Sequence, residues 1–186
     1  MLAREKSAGY FRQFGLLNKG SVQVIAGETD DAIRILTAAL AAQQVSGEIV
    51  WRSWYCANLA QAYAAGGHLN DAWRCINEAS AAMEEANERW CEPEVYRTTG
   101  EIALRSPKPD VANAEAYFER AIGVAREQEA KSWELRTVTS MARLWRDQGR
   151  PKEAYDLLAP VYGWFTEGFD TRDLKEANAL LNELHS

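Results

Sequence analysis

The chain has 186 residues, with 21 Lys and Arg against 27 Asp and Glu, a net charge of −6, and 47% hydrophobic residues. That length and composition exclude a disordered chain and admit one domain, or one extended array, with a real core. The acidic balance argues against a nucleic-acid partner, no apolar run approaches the ~18 residues of a membrane helix, and the start MLAREKSAGYF lacks the apolar stretch of a signal peptide.

Helical periodicity predicts nine helices, near 4–26, 29–44, 48–66, 69–87, 90–105, 110–129, 131–148, 151–166 and 171–184. No run alternates with period two, so no sheet is expected. The start enters a helix without a capping sequence, as an internal piece of a longer polypeptide would. Gly27, Gly67 and Gly149 stand where a left-handed residue closes a helix. Thr29 or Asp30, Asn70, Asp110 and Pro151 suit the first turns that follow, and Asp170 or Thr171 suits the ninth. Cys56, Cys75 and Cys91 have no metal spacing; an odd count without a signal peptide fits reduced thiols in a cytoplasm, packed as small apolar residues. Trp51, Trp90 and Trp133 each open a first helix, 39 and 43 residues apart, which predicts core packing of one repeat on the next.

The segments AGETDDAIRILTAAL, AGGHLNDAWRCINEAS, PKPDVANAEAYFERAI and DQGRPKEAYDLLAP repeat one pattern. Their alanines Ala32, Ala72, Ala114 and Ala154 are 40, 42 and 40 residues apart, and a bulky residue follows each by four: Leu36, Ile76, Phe118 and Leu158. A small residue in the preceding helix, Gly20, Ala60, Gly100 and Ala142, lets the two helices of a pair approach closely while the bulky residue fills the adjacent groove.

These positions resemble tetratricopeptide repeats. The second repeat fits best, with Leu59, Ala60, Tyr63, Gly67, Ala72 and Ala79, although the period is about 40 rather than ~34. The resemblance implies an all-α fold: a right-handed α-α superhelix of about four helix pairs, covering about 4–46, 47–88, 89–129 and 130–168 of a single array over 1–186, closed by a capping helix at 170–184. Residues 132–184, with the words ARLWRDQGR, LLAPVYGWFTEGFDT and DLKEANALL, also resemble the C-terminus of bacterial signalling proteins. Those proteins carry a class III adenylate/guanylate cyclase domain, an AAA/STAND-type ATPase module and a tetratricopeptide array. The chain contains neither cyclase metal carboxylates nor a phosphate-binding GxxxxGKS/T.

No catalytic residues, metal ligands or cofactor site are expected. His68 and His185 are isolated, the acid pairs Asp30–Asp31 and Glu84–Glu85 point to different parts of a helix surface, and GxSxG, HExxH and CxxC are absent. The resemblance places a groove on first-helix positions: Phe14, Leu17, Ser21 and Val24, then Trp54, Ala57, Gln61 and Ala64. It continues with Glu94, Arg97, Glu101 and Leu104, then Arg136, Thr139, Arg143 and Arg146. Arg136, Arg143 and Arg146 share a helix face and suit an acidic partner, unless Glu94, Glu101, Glu134 and Asp147 neutralise them. The basic–asparagine pattern that grips chaperone tails is missing. The expected function is a non-catalytic interaction or scaffold module binding a protein, a peptide or sibling domains of its own polypeptide. The arm of a cyclase/ATPase protein stands first, a stand-alone adaptor or the arm of a transcription regulator next. The stretch APVYGWFTEGFDTRDLKEA, at 159–177, is read as closure. Its aromatics extend the core, and the ninth helix covers the last repeat through Leu174, Ala177, Leu181 and Leu184, with Lys175, Asn178 and Asn182 wet and Glu176 at the edge.

Overall fold

The computed structural model describes residues 2–47 and 49–185, with side chains from residue 11 onward. The predicted helix start at Glu48 and the chain ends Met1 and Ser186 lie outside the described residues. Among the described residues there are nine helices and no strand: α1 (Leu2–Ala26), α2 (Thr29–Ser46), α3 (Arg52–Ala65), α4 (Leu69–Ala86), α5 (Glu92–Arg105), α6 (Val111–Glu127), α7 (Lys131–Asp147), α8 (Pro151–Tyr162) and α9 (Arg172–Leu184). The expected all-α helical-repeat fold is thus present. Two boundaries move. α3 begins at Arg52 because Trp51 takes a left-handed backbone, φ 58°. α8 ends at Tyr162, where Gly163 turns the chain.

Five helix ends close by one device. A left-handed residue (Gly27, Gly67, Asn87, Glu129, Gly149) is followed by an N–H that reaches back five residues. The bonds are Glu28 to the Gln23 carbonyl, His68 to Tyr63, Glu88 to Met83, Ala130 to Ala125 and Arg150 to Trp145, all between 2.8 and 3.1 Å. This satisfies carbonyls that the helix end leaves open. Side-chain caps matter less than expected. Asp110 does accept from the Asn113 N–H at 3.2 Å and Pro151 opens α8 as expected, but α2, α4 and α9 begin without a side-chain cap.

The chain divides into two compact units, Met1–Cys91 with Arg105–Lys108, and Glu92–Leu104 with Pro109–Ser186. In the first, α1 packs on α2 and α3, and α3 on α2 and α4. The repeat signature explains the closeness: a Cβ added at Gly20 would lie 2.6 Å from Leu36 Cγ. Leu17, Leu36, Tyr55, Ala60, Ala72 and Ile76 are buried there, and each large apolar side chain contributes roughly 1.5–3 kcal/mol. All three cysteines are buried and unbridged. Burial pushes the Cys56 thiol up to about 12 and the Cys75 thiol to about 11.

In the second unit the same pairing recurs, since a Cβ at Gly100 would lie 2.6 Å from a Phe118 ring carbon. Its core gathers Leu135, Val138, Ala142, Ala154, Leu158 and Val161 from α7 and α8 with Leu174, Ala177 and Leu180 from α9. Leu174 and Ala177 are thus buried as expected, and Leu180 joins them while Leu181 and Leu184 flank the cluster half-buried. Tyr162 and Phe165 pack on this cluster as expected. Trp164 and Phe169 do not; they remain 59% and 46% exposed, because the turn after Gly163 sends them outward. Trp51 and Trp90 also depart from the core reading, at 40% and 41% exposure. Each lies tilted against a neighbouring ring, Phe14 and Trp54 respectively, and stays partly exposed.

Candidate binding site

The first-helix positions follow two fates in the first unit. Some serve the helix–helix contact. Leu17 is buried. The buried Ser21 hydroxyl donates to the Leu17 carbonyl at 3.1 Å and accepts from Asn58 Nδ2 at 3.1 Å. Asn18 Nδ2 donates to the Tyr55 hydroxyl at 3.2 Å. These side-by-side bonds between α1 and α3 consume positions that the repeat pattern assigned to an open groove, because adjacent first helices lie too close to leave them wet. Others stay half-buried: Phe14, Trp54, Gln61 and Tyr63. Trp54 and Gln61, seven residues apart, share one face of α3.

In the same unit a recess with room for about one water molecule is lined by Gln13, Phe14, Leu17, Gln43, Val50, Trp51 and Tyr55. No lining residue is charged. Phe14 and Trp51 face each other with ring centroids 5.2 Å apart, tilted by 47°. The left-handed backbone of Trp51, a costly conformation for a bulky residue, has its N–H directed at the Glu88 carboxylate, 3.3 and 3.4 Å from its oxygens. Gln43 is 5% exposed and its Nε2 donates to the Val50 carbonyl at 3.0 Å. That bond fixes the amide orientation, since the reverse would oppose two carbonyl oxygens. Gln43 Oε1 is buried without a hydrogen-bond partner. Nothing in the repeat pattern flags Gln43, because it belongs to a second helix; only its place beside the 49–51 turn gives it a role.

In the second unit the arginine row is engaged from within. Arg136 Nε meets Asp173 at 2.6 Å, Arg143 meets Glu176 at 2.7 Å and Arg146 meets Glu183 at 2.7 Å. The three acids come from α9, which runs alongside α7 as α3 runs alongside α1; Arg136–Asp173 and Asn18–Tyr55 both span 37 residues. α9 therefore takes the place of a further first helix. Arg97 forms a fork with Glu94, at 2.6 and 2.8 Å, and pairs with Glu101. Burial works against its charge, but these two acids more than offset it and hold its pKa above the ordinary value. Of the four acids expected to neutralise the row, Asp147 pairs with Arg146 and Glu94 comes within 3.9 Å of Arg136, while Glu101 pairs with Arg97 and Glu134 with Arg126 and Lys131. Sequence reasoning missed Asp173 and Glu183 and left Glu176 at an edge. Their spacing of three and seven mirrors the seven and three of the arginines, which was the available signal.

Among the described residues no group of three or more His, Cys, Asp or Glu side chains is placed to hold a metal ion. No helix is long and apolar enough to cross a membrane among those residues.

No protein-family model and no curated protein matches the sequence. Two crystal structures of TPR-like repeats from a Podosopora anserina protein described as a candidate kinesin light chain do resemble the fold. One has TM-score 0.65 and 16% identity, covering 94% of this chain and 85% of that one. The other has TM-score 0.64 and 17% identity with the same coverage. At such identity the likeness concerns the fold, which is one of TPR-like helical repeats.

Proposed function

We propose that this chain is a non-catalytic protein–protein interaction module whose binding face is formed by Phe14, Trp54 and Gln61. The observation that carries this reading is the partly exposed, uncharged aromatic surface of the first unit, where Phe14 meets Trp51 and Trp54 and Gln61 stay half-buried on one face of α3. The TPR-like scaffold supports it, since stacked helix pairs present extended surfaces to other chains. The partner is a protein or peptide, and the net charge of −6 disfavours nucleic acid. No cofactor is needed. Arg97, Arg136, Arg143 and Arg146 serve the fold of the second unit, because their carboxylate partners are already in place.

The finer reading is a cytoplasmic regulatory or sensor arm of a larger bacterial cyclase/ATPase signalling protein, with a sibling segment as partner. The resemblance of residues 132–184 to the ends of such proteins supports it. A photo-crosslinking residue at Gln61, compared with one at exposed Ala81 on α4, tests both levels in cells. Crosslinks to a cyclase or ATPase segment from position 61 alone, lost in Phe14→Ala/Trp51→Ala, are expected. Equal capture at both positions, or none at either, overturns the interaction reading. Capture of an unrelated polypeptide by position 61 replaces the arm with an adaptor acting in trans, and capture of a DNA-binding regulator replaces it with an arm of that class.

A further inference from the structure

Beyond α1, the exposed large apolar side chains of the first unit are not scattered. Among the described residues they are Val45, Ile49, Val50, Trp51 and Trp90, all in the last turn of α2 or in the turns that lead into α3 and α5. The turns inside the helix pairs, at 27–28 and 66–68, carry none. Two contacts tie the apolar turns to one edge of the unit. The Trp51 N–H lies 3.3 Å from the Glu88 carboxylate, and the Trp54 and Trp90 ring centroids are 5.8 Å apart. Trp51 keeps its left-handed backbone here, φ 58°, while its side chain stays partly exposed. Such strain on a tryptophan left in solvent does little for the fold, whereas stored backbone strain and exposed apolar clusters both mark binding surfaces.

Charge decides what can sit on this apolar edge. Glu84 and Glu85 lie in the last turn of α4 and Glu88 in the turn after it, and none of the three is in an ion pair among the described residues. Within residues 84–90 these three acids stand against Arg89 alone, a net charge of −2. Acids at a helix C-terminus oppose its dipole, so helix stability does not account for them. Nucleic acid, anionic lipid and acidic peptides are repelled here. A cationic side chain is attracted twice, by the carboxylates and by the faces of Trp51 and Trp90. We infer that this edge docks a basic amphipathic segment of a partner protein, its arginines or lysines reaching Glu84, Glu85 and Glu88 and its apolar side chains covering Ile49, Val50, Trp51 and Trp90. This rests on the interaction reading above, extends its face from Phe14 and Trp54 to Trp51 and Trp90, and names the chemistry of the partner.

The test uses the whole chain with two amphipathic helical peptides of the same leucine pattern, one carrying arginine and the other glutamate at the polar positions. Binding is read by NMR at the indole N–H signals of Trp51 and Trp90. The arginine peptide should shift both signals, and the glutamate peptide should leave them in place. Glu84→Gln/Glu85→Gln/Glu88→Gln should weaken the arginine peptide about tenfold, as three exposed charge pairs predict. Neutralising as many exposed acids of the second unit, Glu119→Gln/Glu127→Gln/Glu167→Gln, should change it by less than about twofold at ~0.15 M salt, where net charge alone is screened. Equal binding of the two peptides, no shift at either indole, or an equal loss in the two triple variants overturns the inference. The first two outcomes are read on the wild-type chain, so they stand even if a variant misfolds. Lost arginine preference with position-61 crosslinking intact removes only the charge of the partner; the preference without crosslinks removes only the interaction reading.

Discussion

At Gly100 a missing Cβ sets how closely α5 and α6 approach. A methyl there would meet the Phe118 ring at 2.6 Å and the Ala114 carbonyl oxygen at 3.1 Å. Overpacking of this kind costs roughly 1–3 kcal/mol, more than the ~0.5–1 kcal/mol that alanine gains over glycine within a helix. Gly100→Ala should therefore lower stability by about 1–2 kcal/mol in urea unfolding. Gly123, in α6, has nothing within 4 Å of an added Cβ. Gly123→Ala should instead raise stability by about 0.5–1 kcal/mol. If both shift alike, the small–bulky contact is not what fixes Gly100. That contact was legible in the sequence from the recurrence of Gly20, Ala60, Gly100 and Ala142 before Leu36, Ile76, Phe118 and Leu158. The left-handed backbone at Trp51 and Glu129 was not, because glycine or asparagine is the usual occupant and neither stands there.

Among the helices, α9 depends on charge as well as on its leucines. Arg143→Glu with Arg146→Glu would set acids against Glu176 and Glu183. Half-exposed pairs are worth ~0.2–1 kcal/mol each, so the double change should cost about 1–2 kcal/mol at low salt, less at 1 M salt. Adding Glu176→Arg and Glu183→Arg should restore most of the loss; a thermal midpoint that ignores the reversal removes the pairing from the account. Acid should act on the same elements. Burial raises the Glu134 carboxyl, but hydrogen bonds from Arg126 and Lys131 outweigh it and hold it below the ordinary value; Glu176 behaves alike under Arg143 and Arg172. Depressed folded values mean that the unfolded chain binds these protons first. The stability they contribute is present above the unfolded value of ~4.3 and is lost as pH falls through the folded values. The gap in urea midpoint between wild type and Glu134→Gln should therefore be largest near neutrality and close towards pH 3, on the order of one unit below that ordinary value. A gap independent of pH would assign Glu134 a packing role alone.

For the molecule as a whole, closure of the second core and burial of the thiols offer two readouts. Ending the chain after Gly163 removes Leu174, Ala177 and Leu180 from the cluster they share with Leu135, Leu158 and Val161. At roughly 1.5–3 kcal/mol per large side chain, against a typical total of ~5–15 kcal/mol, the truncated chain should lose cooperative melting or aggregate. A fully folded truncated chain would make α9 dispensable. Cys56, Cys75 and Cys91 all lie buried in the first unit, and at pH 8 the raised thiols are scarcely ionised. A thiol reagent should modify them only as that unit opens, with all three reacting promptly in denaturant; rapid reaction of the native chain would contradict the burial.

Sequence alone determined the helices, the glycine turns at Gly27, Gly67 and Gly149 and the small–bulky pairing, because each depends on backbone preference or on side chains a few residues apart, repeated about every 40 residues. Tertiary structure decided the rest. Arg136, Arg143 and Arg146 looked available on α7 until α9 brought Asp173, Glu176 and Glu183 beside them, since pairing across 33 to 37 residues depends on helix approach rather than on either local pattern. Trp51 and Trp164 looked like core until the turns that carry them aimed their rings outward. Gln43 comes to line a recess with Phe14 and Trp51 only because α2, the 49–51 turn and α1 meet there, a juxtaposition of distant segments that no periodicity encodes.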